Sequence, residues 1–112
     1  MPIKRRRIRV NEGSGNVFAD VGIEQPEEYL AKAELARQII GVFEAKRLTQ
    51  VEAARILGVS QPKVSALRNG RLDGFSTERL IRFLTVLGRD VSIVVSVKPR
   101  SRRRASLTVR AA

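Results

Sequence analysis

The sequence predicts a mainly α-helical domain of four to five helices that ends in one β-strand. Three observations predict it. Apolar residues between positions 26 and 46 recur at helical spacing. Three sets of helix start and stop signals follow between positions 49 and 88. In residues 90–98, Val91, Ile93, Val95 and Val97 then alternate with Ser92, Val94, Ser96 and Lys98, a period of two in β-branched residues.

The first helix is expected over residues 26–46. Pro26 lies in the first turn, where a missing N–H costs nothing, and Glu27 and Glu28 suit the positive end of the helix dipole. Its apolar stripe is read as Tyr29, Ala33, Ala36, Ile40 and Phe43, widened by Leu35, Ile39 and Val42; a break near Gly41 is allowed for. The second helix spans 50–57. Thr49 and Glu52 form a capping box, each side chain accepting from the other residue's backbone N–H, and Gly58 ends the helix. The third spans 61–68, with Ser60 placed to cap it, Pro62 in its first turn, and Asn69-Gly70 stopping it. Ser76 caps the fourth, 77–87, Phe75 and Leu80 stand as a hydrophobic staple, and Gly88 ends it.

The strand is expected over 90–98. Val91, Ile93, Val95 and Val97 share one face, and Pro99 ends it. A lone strand cannot satisfy its own backbone. Its partner is expected in residues 8–10, in 17–19 or in a second subunit. The helical remainder favours a symmetric homodimer with Val91, Ile93, Val95 and Val97 at or near the interface.

Composition excludes several functions. The chain has 112 residues and no Cys, His or Trp. Disulfides are impossible, and zinc, haem and iron–sulfur centres lose their usual ligands. Cys–His and Ser–His–Asp chemistry is excluded as well. Ser14 between glycines lacks the Lys-Ser/Thr and the strand of a phosphate loop. No catalytic residues, metal ligands or cofactor are therefore expected. No apolar run approaches the roughly 18 residues of a membrane span. The basic residues 1–10 are not followed by an apolar signal-peptide segment. A cytoplasmic protein is the expectation.

The net charge is +11, concentrated at the ends. Residues 1–16 carry +4 through Lys4, Arg5, Arg6, Arg7 and Arg9 against Glu12, and residues 98–112 carry +6. Segments 1–16 and 99–112 read as disordered basic arms flanking a domain at 17–98. Within that domain, residues 20–34 carry −4 and residues 46–71 carry +5. Nucleic acid is the expected partner. The five aromatic residues fall mostly on apolar stripes, which argues against a base-stacking surface for single strands.

The informative stretch is 49–70: two short helices joined by Gly58-Val59-Ser60, the helix-turn-helix arrangement. Val51, Ala54, Ile56, Leu57, Val59, Val64 and Leu67 are expected to face the core. Ala54 is small where the two helices approach. Gln61, Lys63, Ser65 and Arg68 would then point outward, with groups able to donate to base edges or phosphates in a major groove.

At this point the sequence resembles a family. Leu48-Thr49-Gln50-Val51-Glu52-Ala53-Ala54, Leu57-Gly58-Val59-Ser60-Gln61, Val64-Ser65, Leu67 and Asn69-Gly70 are similar to the helix-turn-helix of the Xre/Cro/phage-repressor family. The resemblance implies a lambda-repressor-like helical bundle, a second motif helix in the major groove, and a dimer on palindromic double-stranded DNA. It implies phosphate contacts for Gln50, Ser60 and Asn69 and base reading for Gln61. Pro62 and Ala66 depart from the family's usual readout: one offers no side-chain hydrogen bond, the other only an apolar contact. The reading set is therefore taken as Gln61, Lys63 and Ser65, with Arg68 on phosphate or base, and Thr49 and Arg71 at the margins. Residues 16–22, the helix after them, and residues 88–95 further resemble Xre-type proteins related to HigA-type antitoxins, which pair with RelE-like toxins.

Three functions are thus in play. The first is a repressor that is also the antitoxin of a toxin–antitoxin pair. The second is a stand-alone Xre-type regulator. The third is a basic RNA-binding or ribosome-associated protein working through its arms. The motif favours DNA, because A-form RNA offers no wide major groove to a helix.

Overall fold

The computed structural model describes residues 26–112. The arm at 1–16, the motif at 16–22 and the possible partner strands at 8–10 and 17–19 lie outside the described residues.

Four helices follow in order: α1 (Pro26–Ala45), α2 (Gln50–Leu57), α3 (Gln61–Arg68) and α4 (Thr77–Val86). The start and stop signals place them to within a residue. α1 runs through Gly41 without a break. It ends with Arg47 in the left-handed region at φ 55°, while the Leu48 N–H reaches back to the Phe43 carbonyl at 2.9 Å. This closes the last turn, at the cost of a conformation that disfavours a β-carbon.

The core forms where α1 packs on α4 and α3, and α2 packs on α3 and α4. Leu35, Ala36, Ile39, Val42 and Phe43 of α1 meet Val64 and Leu67 of α3 and Leu80, Phe83 and Leu84 of α4. Each fully buried Leu, Ile or Phe contributes about 1.5–3 kcal/mol over exposure. The staple pair, Phe75 and Leu80, is buried in this cluster, and Phe75 meets Phe83 edge-on at 6.1 Å.

Two stripes differ from expectation. In α1 the buried line is Ala31, Leu35, Ala36, Ile39, Val42 and Phe43, and it carries Lys32 with it. Tyr29 lies off that line and directs its hydroxyl to the Gly70 carbonyl at 3.5 Å. In α2 the buried residues are Ala53 and Ala54, while Val51 and Ile56 are 47% and 43% exposed. The reason is rotational. α2 approaches α3 through its small residues, which allow the closest contact, and this turns Val51 and Ile56 outward.

The C-terminal strand is not shown among the described residues. Residues 90–98 belong to no helix and to no ladder among the described residues. Val91 is half-buried against the core, but Ile93, Val95 and Val97 are 74%, 91% and 94% exposed. Alternation prescribes an extended backbone; a strand also needs a neighbouring backbone, and the four described elements are all helices. Beyond it, the Arg102 N–H bonds the Pro99 carbonyl at 3.1 Å, the Leu107 N–H donates to the Glu27 carboxylate at 3.2 Å, and Val109 packs against the core. No described helix is long and apolar enough to cross a membrane.

Candidate nucleic-acid interface

The site is built from the turn outward. The Thr49 hydroxyl accepts the Glu52 N–H at 3.1 Å, and Glu52 Oε1 accepts the Thr49 N–H at 2.8 Å. Those bonds, the backbone one first, hold the Glu52 carboxyl below its usual range. Gly58 then adopts φ 70°, ψ 34°, a left-handed conformation that glycine enters at little cost, and the Val59 N–H returns to the Ala54 carbonyl at 3.0 Å. The chain reverses into α3. Ser60 occupies the cap position of α3, but its side chain makes no capping bond, which leaves the hydroxyl available at the surface.

α3 turns Val64 and Leu67 into the core. At about 100° per residue, the residues opposite them are Pro62, Ser65, Ala66 and Asn69. Asn69 Nδ2 donates to Ser65 Oγ at 3.4 Å, so these two form one polar pair on the outer face. Gln61 and Arg68 share one flank. Gln61 is exposed, and its carbonyl accepts from Gln50 Nε2 at 3.2 Å, which ties the start of α3 to the start of α2. The Arg68 guanidinium lies 5.5 Å from the centre of the Phe43 ring and covers the core there. Lys63 is on the other flank. Its ammonium donates to the Gly74 carbonyl at 3.4 Å and sits 5.0 Å over Phe75. Arg71 is exposed after the α3 stop.

Gln50 is thereby tied to Gln61 and Asn69 to Ser65, with Thr49 engaged in its cap. Ser60, Lys63 and Arg71 line a cleft of about 400 Å³ between α3 and the loop at 71–75. Its wall includes Pro62, Ala66, Asp73 and Gly74. Sequence reasoning missed the part of the loop in this site. Gly74 is 11 positions from Lys63, and no local signal joins them.

A family model described as a helix-turn-helix domain matches residues 17–96. A solved structure of a protein named as an XRE family transcriptional regulator is 51% identical, covers 77% of this chain and 97% of its own, and superposes with a TM-score of 0.72. The chain belongs to the Xre-type helix-turn-helix family. Among curated proteins none matches it. As an Xre-family protein it is a DNA-binding transcriptional regulator, and the α2–α3 pair is the part of it with the geometry to enter a groove.

Proposed function

We propose that this Xre-family regulator is a sequence-specific repressor that reads its operator with α3. The observation that carries this reading is the capped, Gly58-linked helix pair, which turns Val64 and Leu67 inward and leaves Gln61, Ser65 and Asn69 on the outside. Gln61 reads a base edge, Gln50, Ser60 and Asn69 hold phosphates, and Arg68 and Arg71 add charge along the backbone. The 17–98 domain does the reading. The arms at 1–16 and 99–112 add affinity without sequence information, because each phosphate neutralised releases counterions.

The test is fluorescence anisotropy with the protein's own upstream DNA and a scrambled duplex over a salt series. Upstream DNA bound at least about 10³-fold tighter at physiological salt is the expected result. Equal binding that vanishes as salt rises would mean that the arms dominate, and the repressor reading would be lost for that DNA.

We further propose that the protein acts as a homodimer through residues 91–97. The exposed apolar face of Ile93, Val95 and Val97 supports this, since two such segments can pair with each other. Ile93→Lys should shift sedimentation from dimer to monomer; a wild type already monomeric at micromolar concentration removes the claim. The resemblance of residues 16–22 and 88–95 to HigA-type proteins supports an antitoxin role with a RelE-like toxin as partner. Co-purification of the chain with the product of an adjacent gene tests it. A stand-alone regulator is the second reading, favoured by the name of the 51%-identical solved relative.

A further inference from the structure

The cleft beside α3 has a construction that the motif alone does not explain. Lys63 is the cation of α3 on that side, and two groups of the 71–75 loop hold its ammonium. The Gly74 carbonyl accepts one of its protons at 3.4 Å, and the Phe75 ring lies beneath it at 5.0 Å. Phe75 cannot readily move, because it is buried, meets Phe83 at 6.1 Å and carries the Arg79 guanidinium at 5.7 Å.

Gly74 matters for a reason separate from backbone freedom. Gly58, Gly70 and Gly88 have positive φ, and Gly74 does not. A β-carbon at position 74 would instead lie 3.0 Å from Lys63 Nζ, tighter than ordinary contact. The missing side chain is what lets the ammonium rest against the loop.

We propose that Gly74 is a positioning residue of the DNA interface, holding Lys63 at the mouth of the cleft so that Lys63 selects a guanine. This rests on the repressor reading above. An ammonium has three donors, and Gly74 uses one, so two remain for a guanine O6 and N7. Pro62 and Ala66 give the cleft an apolar wall beside that donor, suited to the methyl group of a neighbouring thymine. Pinning the ammonium beforehand removes rotamer freedom that a free lysine would lose on binding, and it directs the donor at one base step.

The experiment selects duplexes from a randomised library with the wild type, Lys63→Met and Gly74→Ala, then titrates each protein against the selected duplex and its single-base variants. The wild type should enrich a guanine at one position of each half-site. Lys63→Met should lose roughly tenfold preference at that position and keep the others. Gly74→Ala should relax the same position, because the ammonium must give way by a few tenths of an ångström and, as the free end of a flexible side chain, does so without unfolding the loop. Any loss of folded protein lowers binding to all duplexes alike and leaves relative preference unchanged. An unaltered consensus for Gly74→Ala overturns the positioning role. Equal weakening of every duplex by Lys63→Met makes Lys63 a phosphate contact and overturns the reading role. A wild type that enriches no sequence overturns the repressor reading itself, a distinct result.

Discussion

Residues 49–70 and 90–98 are both rich in apolar residues, yet they end differently. The first closes its own hydrogen bonds within a few positions, through the Thr49–Glu52 box, the Gly58 turn and two short helices that bury Val64 and Leu67. The second alternates apolar and polar residues except at Val94, and leaves most of its apolar face in solvent. The difference lies in where the partner comes from. A helix satisfies its backbone within its own sequence, whereas a strand borrows a neighbour.

The largest test of that contrast is a pair of truncations. Leu67→Ala should cost about 2–5 kcal/mol in urea unfolding, because it opens a cavity under α3. Val95→Ser should change stability by less than about 0.5 kcal/mol at concentrations where the chain is monomeric. A large loss for Val95→Ser there would mean that the extension is part of the folding unit, and the contrast would collapse.

Next comes the outer face. Gln61→Ala should reduce discrimination by roughly 1–3 kcal/mol at one base pair, read as the ratio of operator to substituted duplex. Equal losses on operator and scrambled DNA would mark Gln61 as a general contact.

Thr49→Ala is smaller, about 1 kcal/mol of stability, because it leaves the Glu52 N–H without its cap. The smallest effect is the pH dependence of Glu52. Its carboxyl is lowered in the folded chain, so its contribution is present above the usual glutamate range and is lost as pH falls through the folded value. Thermal melts of wild type and Glu52→Gln should differ at neutral pH and converge in acid. Glu34, lowered by its bonds to Arg37 and Gln38, titrates in the same direction in both proteins. A difference that persists in acid would mean that the glutamine itself disturbs α2.

The site was legible only in part for related reasons. Gln61, Ser65 and Asn69 could be placed outside because Val64 and Leu67 set the rotation of α3. The position of Lys63 was not legible, since its ammonium is held by a carbonyl 11 positions away. Nor was the contact of Arg68 with Phe43, which depends on how α3 crosses α1. Val51 and Ile56, expected in the core by hydrophobicity, lie exposed. Ala53 and Ala54 win that interface by allowing the helices to come close.

By itself the sequence determined where the four helices start and stop and the turn at Gly58. These follow from interactions spanning five residues or fewer: caps, helix dipoles and a left-handed glycine. Only the tertiary structure decided which α2 residues are buried, which flank of α3 meets the 71–75 loop, and that the extension finds no ladder among the described helices. Those outcomes depend on contacts between segments distant in the chain, where packing volume and available backbone partners, rather than local propensity, set the lowest free energy.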